Sequence, residues 1–332
     1  AGLAAAALLC VPGLGRSASG VGDKLALSGT LRGPGSRAVV ARCGSHGQEL
    51  LVASGASVEW WREESEGRWA RTRSASCPEQ SGPLFSLAVN SGGDGEIAAG
   101  GGTDRAVSVF SGDGGLLGSL PGHTGWVRAV AFHGAHLFSV GCQFVKVWRR
   151  VDDGWVHVGD LQVHGDILGL AVAAGGVLLA AGVAAQIYRW TLPPERLRPK
   201  DWLGWAQHTF CQVPSQDSGR ITAIASHGRR FFTAGYDGSL RLWSLRGETV
   251  SLDASCSLPF RAHCLAVHAG GRVACGGSGG SLLVARGAAE AETLRSESGL
   301  HEGGPVSSLA WVDGGRVATV SASHPSLEVT RV

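Results

Sequence analysis

The sequence is poor in lysine, methionine and tyrosine. Its 332 residues include three lysines, two tyrosines and no methionine, and the formal net charge is +2. Basic and acidic residues are mixed along the chain, so it lacks the clustered lysines and arginines that bind nucleic acid or an anionic membrane. We therefore expect neither nucleic acid nor a membrane surface among its partners. Polar helix-forming residues are also scarce, which disfavours a helical fold.

The eight cysteines form no Cys-x-x-Cys pair. A chain of this length can bury a core without disulfide bonds, so we interpret the cysteines as reduced and mostly buried apolar residues. His263, Cys264, His268 and Cys275 lie close together in the sequence, but their spacing matches no standard zinc pattern. The glycine cluster at 276–280 is interpreted as a turn, since no helix follows it to receive a phosphate. We expect no metal, cofactor or catalytic residue.

The apolar stretch near the N-terminus, Leu3 to Val11, is too short to span a bilayer. We interpret residues 1–21 as a disordered leader or the remnant of a targeting segment. Residues 22–332 are expected to form a single domain. An intracellular location is favoured, either the cytoplasm or an organelle.

Glycine is abundant, with 52 residues spread along the chain, and this is typical of many short strands joined by tight turns. The segment Gly122–Trp148 reads GHTGWVRAVAFHGAHLFSVGCQFVKVW, and Ser218–Trp243 repeats its order of apolar runs and turns. Weaker copies raise the number to seven, and their third strands end at positions 61, 110, 148, 190, 243, 285 and 330. Their mean spacing is close to the period of about 40–45 residues that is typical of a four-stranded propeller blade.

Each copy contains three strand signals, and all but the last continue into a fourth, more polar run. The three-strand segments cover approximately 37–63, 84–112, 126–150, 167–192, 220–245, 264–286 and 306–332. The last copy has no fourth run, and the segment 22–33 can supply one from the other end of the chain. A propeller has open sheet edges, which invite aggregation, unless the two ends of the chain share one blade. Sharing the last blade in this way would close the ring. We therefore predict an all-β fold, a seven-bladed β-propeller of four-stranded antiparallel blades.

These residues resemble the WD-repeat family of β-propellers over the segment 22–332. Gly122-His123 matches the family's Gly-His pair, and the tryptophans that end the third, fourth and fifth copies match its Trp, although the Asp that follows it in the family is missing. In that family a His, a Ser or Thr, a turn Asp and the Trp form a buried hydrogen-bonded set. The resemblance implies two such structural networks, formed by His123, Ser139 and Trp148 and by Thr233, Asp237 and Trp243. No copy has all four residues, so the repeats are degenerate.

On one face of a propeller the connections converge around the channel, and binding residues often lie there. Trp126 precedes the first strand of the third copy and is expected on this face, either as a partner anchor or packed against the neighbouring blade. Tyr236 immediately precedes the turn residue Asp237 and is expected on the same face. We predict the following partner-binding candidates on this face: Trp126, Tyr236, Thr103, Arg105, Gln143 and Gln186.

The longest gap between successive copies contains the segment LPPERLRPKDWLGWAQH, residues 192–208. Its prolines prevent a regular strand. Trp202 and Trp205 in this segment either fold back onto the fourth blade or form an exposed apolar patch that binds a partner. They are therefore a second set of partner-binding candidates.

The expected function is a non-catalytic scaffold or adaptor, a monomeric propeller that binds one or more proteins. An alternative is a substrate receptor of a ubiquitin ligase complex. Residues 243–246 read Trp-Ser-Leu-Arg, which resembles the Trp-x-x-Arg part of the adaptor-binding box of such receptors, with Ser244 in place of its Asp. An enzyme that uses the propeller channel is less favoured, because the innermost strands are mostly Ala, Val, Leu and Ser.

Overall fold

The computed structural model of the protein describes residues 24–26, 36–44, 47–65, 68–77, 82–91, 95–102, 104–152, 154–192, 208–213, 219–286, 293–313, 315–324 and 327–332. These residues form seven four-stranded sheets, each with antiparallel pairing. The predicted fold class, an all-β propeller with seven blades, is confirmed. The leader predicted for residues 1–21 lies outside the described residues. Among the described residues, no helix is long and apolar enough to cross a membrane.

The strands are numbered in chain order and grouped by blade, from the innermost strand outwards. Blade 1 contains β2 (Ser36–Gly44), β3 (Gly47–Ser54), β4 (Ser57–Ser65) and β5 (Arg68–Ser76). Blade 2 contains β6 (Leu84–Val89), β7 (Ile97–Gly101), β8 (Val107–Phe110) and β9 (Leu116–Leu120). Blade 3 contains β10 (Ala129–His133), β11 (His136–Gly141), β12 (Phe144–Val151) and β13 (Gly154–Gln162). Blade 4 contains β14 (Ile167–Ala173), β15 (Val177–Gly182), β16 (Gln186–Thr191) and β17 (His208–Gln212).

The remaining blades follow the same order. Blade 5 contains β18 (Ile221–His227), β19 (Arg230–Gly235), β20 (Ser239–Arg246) and β21 (Thr249–Ser257). Blade 6 contains β22 (Ala262–Val267), β23 (Arg272–Gly277), β24 (Ser281–Arg286) and β25 (Thr293–Glu297). Blade 7 contains β26 (Val306–Asp313), β27 (Arg316–Ser321), β28 (Leu327–Arg331) and β1 (Lys24–Ala26). Two single turns of 3-10 helix occupy Ser278–Gly280 and Leu300–Gly303.

The burial of each strand follows from its place in the blade. The second strands lie between neighbouring blades, and β11 and β15 are buried at every position. Such strands read as continuous apolar runs because both faces are covered. The outer strands border solvent, and β13 and β21 therefore mix exposed and covered positions along their length. This difference explains why the fourth run of each sequence copy is the most polar.

The hydrophobic core is divided among the interfaces between blades. Seven clusters of buried apolar side chains each combine residues of two neighbouring blades. One cluster joins the last blade to the first, since Leu50, Trp61 and Trp69 pack with Ala318 and Val329. Burying apolar surface is favourable by about 25 cal/mol per Å², so each interface adds to the stability of the ring. The ring is therefore closed by the same kind of packing that joins its other blades.

Two ion pairs join neighbouring blades at equivalent positions but with opposite polarity. Between blades 7 and 1, Arg316, the first residue of β27, donates to Glu63 of β4 at 2.5 and 3.0 Å. Between blades 2 and 3, Glu96 just before β7 accepts from Arg150 of β12. In both pairs the residue of the third strand lies two positions after that blade's tryptophan. The two interfaces thus use one geometry with the charges exchanged.

The N-terminal strand completes the last blade. Lys24, Leu25 and Ala26 of β1 pair antiparallel with Thr330, Val329 and Glu328 of β28. Without β1, the outer side of β28 would be an open sheet edge. The sequence predicts an outer strand over 22–33, and the structure describes residues 24–26 of that segment. Residues from both ends of the chain therefore share one sheet.

Candidate functional site

The three residues predicted to form the structural network of blade 3 meet at the Ser139 hydroxyl. The Trp148 indole N–H donates to Ser139 Oγ at 2.8 Å, and His123 Nε2 lies 2.7 Å from the same oxygen. Burial lowers the pKa of His123 to about 4, and Lys146 adds to this shift. The imidazole is therefore neutral near pH 7, which lets Nε2 accept a hydrogen bond from the Ser139 hydroxyl. Cys142 and Gln143 form the turn where the family has its Asp.

Blade 5 divides the same network into two separate parts. The Trp243 indole N–H donates to Thr233 Oγ1 at 2.9 Å. Asp237 does not reach this pair: one of its oxygens accepts the Ser239 backbone N–H at 3.1 Å, and the other accepts from Arg241 at 2.6 Å. The carboxylate therefore fixes its own turn and neutralises a nearly buried arginine. Both halves stabilise the blade rather than forming a reactive centre.

Blade 7 contains a related pair that the sequence reading missed. His301 is buried, and its Nε2 lies 3.1 Å from Thr319 Oγ1. The spacing of the two residues, with the His ahead of the second strand's hydroxyl residue, is close to the spacing of His123 and Ser139. This spacing was the sequence signal that could have revealed the His301–Thr319 pair. The pair was not recognised because Thr330 replaces the tryptophan that marks blades 3 and 5.

One position of the third strand varies widely among the blades. It is the position that pairs with the network residue of the second strand, and its occupants are Glu59, Ser108, Lys146, Tyr188, Arg241, Leu283 and Glu328. In blade 4 the Tyr188 hydroxyl accepts the His164 backbone N–H at 2.9 Å and donates to Gln186 at 2.8 Å. In blade 1 Glu59 accepts from the Trp61 indole at 3.1 Å. Blades 1 and 4 thus use this position for different hydrogen bonds.

Trp126 lies on the face where the connections between blades converge. Its side chain is 51% exposed, and its ring stacks on Phe85 of blade 2 with centroids 5.4 Å apart. The Arg128 guanidinium lies 4.7 Å from the Trp126 ring centroid and 5.2 Å from that of Phe85. Cation–π contacts of this kind hold a guanidinium against aromatic faces. We call Phe85, Trp126 and Arg128 the Trp126 cluster.

Tyr236 forms a similar group on the opposite side of the channel. Its ring meets His263 edge to face at a centroid distance of 5.3 Å, and the Arg220 guanidinium lies 5.1 Å from its centroid. Burial, and then the charge of Arg220, lower the pKa of His263. Gly235 permits this arrangement, because a Cβ there would lie 2.4 Å from the Arg220 carbonyl oxygen. We call Arg220, Tyr236 and His263 the Tyr236 cluster.

A cavity of about 310 Å³ lies between the two clusters, and we call it the channel mouth. It is lined by Phe85, Arg128, Leu168, Arg220, Thr222, Tyr236, His263, Ser307 and Ala322. Blades 2 to 7 each contribute a residue from the start of the innermost strand, so the cavity lies at one end of the central channel. This volume is within the usual range for a binding site, about 300–1,000 Å³.

The lining residues of the innermost strands share a structural cause. Phe85, Leu168, Thr222, His263 and Ser307 each lie at a register shift between the first and second strands. An extra residue at a β-bulge is left outside the regular ladder and can aim its side chain elsewhere. The bulges therefore direct one side chain from each of these strands toward the channel mouth.

The other predicted candidates are spread over the propeller. Arg105 and Gln143 are exposed in turns, and Arg105 has a left-handed φ of 59°. Gln186 is half-buried and binds Gln212 and Tyr188 within blade 4. Three candidates lie outside the described residues: Thr103, Trp202 and Trp205.

Four residues of the two clusters were not among the predicted candidates. They are Phe85, Arg128, Arg220 and His263. No motif marks them in a single sequence, because each belongs to a different copy and the copies differ at this position. The recurring apolar residue just before each bulge was the nearest available signal. Among the described residues, no group of three His, Cys, Asp or Glu side chains is placed to hold a metal ion.

Comparison with known proteins agrees with this architecture. Residues 114–149 and 208–244 match the family model "WD domain, G-beta repeat". The WD40 beta propeller domain of Doa1 superposes with a TM-score of 0.73 at 16% identity, covering 93% of this chain and 97% of that chain. The RRP9 WD40 repeats superpose with a TM-score of 0.71 at 20% identity, covering 92% and 98%. The search of curated proteins found no match.

The two matched segments and the seven four-stranded blades support a WD-repeat β-propeller. The predicted resemblance to this family is confirmed. The two superposed structures are less than 25% identical to the chain, so they establish the fold alone. Propellers of this class generally serve as platforms for protein–protein interaction.

Proposed function

We propose that this protein is a non-catalytic scaffold that binds a partner protein on the face formed by the two aromatic clusters and the channel mouth. The observation that carries the proposal is the half-exposed Trp126, stacked on Phe85 beside a cavity at the end of the channel. Tryptophan, tyrosine and arginine are the residues most enriched at the energetic centres of protein interfaces. All three occur together on this face.

The stacking of Trp126 also preorganises it for binding. Phe85 and Arg128 hold the indole in place, so little side-chain entropy remains to be lost when a partner covers its exposed part. The Tyr236 ring is held in the same way by His263 and Arg220. Two rigid aromatic anchors that flank a cavity suit a protein partner that spans the face and inserts a side chain between them.

The proposal is tested by the double variant Trp126→Ala/Tyr236→Ala in the full-length protein. Loss of an anchor residue commonly costs about 2 kcal/mol or more, which is roughly thirtyfold in affinity. We expect the main co-purifying partner to be lost while the melting temperature changes little. Leu252→Ala is the matched control, because Leu252 is also exposed, at 40%, but lies on the outer strand β21.

The pair Trp202→Ala/Trp205→Ala provides the competing assignment. If only this variant loses the partner, the binding surface is the 192–208 segment and the scaffold role stands without the face. If no variant loses a partner and the purified protein converts a metabolite, the scaffold proposal is wrong. Absence of nucleic-acid binding and a monomeric state are parts of the same proposal, to be checked by filter binding and light scattering.

A substrate receptor of a ubiquitin ligase is the second candidate. The observation that favours it is the exposure of Arg246, whose side chain is 72% accessible at the end of β20. Ser244 stands where the box has its Asp, but Asp253 lies on the adjacent strand, 3.7 Å from Arg246, and contacts Ser244. Arg246→Ala should abolish co-purification of a ligase adaptor if this candidate is correct. Retention of the adaptor in the variant, or its absence from the wild-type complex, would exclude it.

A further inference from the structure

The polar groups available in the channel mouth are mainly hydrogen-bond donors. The Arg220 Nε atom is buried and has no hydrogen-bond partner among the described residues. The Tyr236 hydroxyl and the His263 ring make no hydrogen bond to any described residue, while the Tyr236 ring contacts both the His263 ring and the Arg220 guanidinium. Because burial keeps His263 neutral near pH 7, its ring offers one N–H. These groups converge from three separate elements on one small volume.

The hydroxyl groups of the lining are committed to the backbone. Thr222 Oγ1 donates to the Ala262 carbonyl at 2.7 Å, and Ser307 Oγ accepts the Ala322 N–H at 2.7 Å. They fix the positions of the surrounding strands and turns. The task of meeting a ligand therefore falls on the arginines, the tyrosine and the histidine.

The charge of the lining has one sign. The described lining residues include two guanidinium groups, those of Arg128 and Arg220, and no aspartate or glutamate. Both guanidiniums lie over aromatic rings, so the ring faces that could attract a cation are already in contact with one. A lysine or methylated lysine would meet two like charges there. A carboxylate would instead find cationic donors in a partly desolvated site, where charge-assisted hydrogen bonds are strong.

We propose that the channel mouth binds an acidic segment of the partner protein, inserting an Asp or Glu side chain between Arg128 and Arg220. This inference rests on the proposed scaffold function and specifies the chemistry of its partner. The aromatic anchors would contact the flanking residues of that segment, while the carboxylate accepts from Arg220, Tyr236 and His263. The cavity volume suits one or two side chains rather than a folded element.

The experiment selects random dodecapeptides displayed on phage against the immobilised full-length protein. We expect the selected peptides to contain several times more Asp and Glu than the starting library. One selected peptide is then measured by fluorescence anisotropy, both as selected and with each Glu or Asp replaced by Gln or Asn. Hydrogen bonds to charged groups are strong enough that neutralising one arginine should weaken binding about tenfold.

The variants are Arg220→Gln alone and Arg128→Gln/Arg220→Gln, with Arg230→Gln as the charge-matched control. Arg230 is exposed at the opposite end of the same blade, so its loss changes the net charge equally without touching the cavity. We expect weaker binding only in the first two variants. If the double variant has a lowered melting temperature, the binding of Arg220→Gln alone tests the inference. Binding by the wild-type protein should also weaken as the salt concentration rises, because salt screens the charges.

Three outcomes would overturn the inference. They are selected peptides without an acidic excess, equal binding by the Arg230→Gln and Arg220→Gln variants, and failure to select any peptide. None of these affects the test of the scaffold role, which depends on co-purification with the Trp126→Ala/Tyr236→Ala variant. If co-purification is lost in that variant while acidic peptides are not preferred, the face binds a partner by other chemistry.

Discussion

Two tryptophans, Trp243 and Trp126, contribute in opposite ways because of their surroundings. Trp243 is 1% exposed, stacks on Phe231 and donates its indole N–H to Thr233. Trp126 is 51% exposed, and its ring contacts Phe85 and Arg128. Removing the first leaves a cavity and an unpaired hydroxyl, whereas removing the second uncovers a small part of Phe85.

Trp243→Ala should therefore lower the free energy of unfolding by roughly 3–5 kcal/mol, as other large aromatic truncations in cores do. Trp126→Ala should lower it by less than about 1 kcal/mol, the usual effect of a surface change. Urea denaturation of both variants measures the difference. Equal losses would mean that Trp126 is a core residue and would remove the main anchor from the proposed interface.

Two buried histidines make the fold sensitive to acid. Burial lowers the pKa of His123 and of His136 to about 4, with Lys146 and Arg149 respectively adding to the shift, and Asp160 opposing it at His123. The unfolded chain, with a pKa of 6.5 at these groups, binds more protons between pH 6.5 and 4. Their contribution to stability is thus complete above pH 6.5 and is lost as the pH falls toward 4.

We expect a loss of roughly 3 kcal/mol per buried histidine at pH 4. His123→Gln should flatten the dependence of the unfolding free energy on pH between 6.5 and 4, while lowering stability at pH 7 through the lost contact with Ser139. His227→Gln is the control, since His227 is exposed. Guanidinium denaturation at a series of pH values measures both slopes, and identical slopes in the two variants would contradict the assignment.

At the scale of strands, the interblade ion pairs show that geometry is retained while the charges are exchanged. Arg316 pairs with Glu63 across blades 7 and 1 and also binds Asp313 at 2.7 Å, and these carboxylates raise its pKa. At the equivalent place in blade 2, Glu96 has Asn90 at 3.4 Å instead of an aspartate. The neighbouring residue thus changes together with the charge: an aspartate, Asp313, lies beside Arg316, and an amide, Asn90, lies beside Glu96.

This correspondence predicts that the blade 7–1 pair can be rebuilt in the blade 2–3 form. Glu63→Arg alone should destabilise the protein by roughly 2 kcal/mol, because it places two arginines together in a part-buried site. The triple variant Glu63→Arg/Arg316→Glu/Asp313→Asn should recover most of that loss. Urea unfolding of the Glu63→Arg variant and the triple variant measures the recovery. A triple variant no more stable than Glu63→Arg would show that the two sites are not interchangeable.

At the scale of the whole molecule, ring closure depends on a short strand from the start of the chain. Deleting residues 1–33 removes β1 and should leave β28 as an open edge, which favours aggregation. Deleting residues 1–20 retains β1 and should be tolerated. Size-exclusion chromatography and thermal melts compare the two truncated proteins. A soluble, equally stable protein after the larger deletion would contradict the closed-ring arrangement.

Much of this architecture could be predicted from the sequence because it repeats. The third-strand residues at positions 61, 110, 148, 190, 243, 285 and 330 all occupy equivalent register positions in the structure. The pairing of Trp148 with Ser139 and of Trp243 with Thr233 followed from the same copies. The His301–Thr319 pair was missed because Ala285 and Thr330 replace the tryptophan in the last two blades and obscure their alignment.

The sequence by itself determined the number of blades, the order of their strands and the buried tryptophans, since these depend on local periodicity repeated along the chain. Only the tertiary structure decided which residues meet at the channel mouth. Phe85, Arg128, Arg220 and His263 belong to four blades, and their approach depends on ring closure and on bulges that add one residue to the innermost strands. A bulge interrupts the alternation of side chains, so periodicity cannot reveal which residue it turns toward the channel.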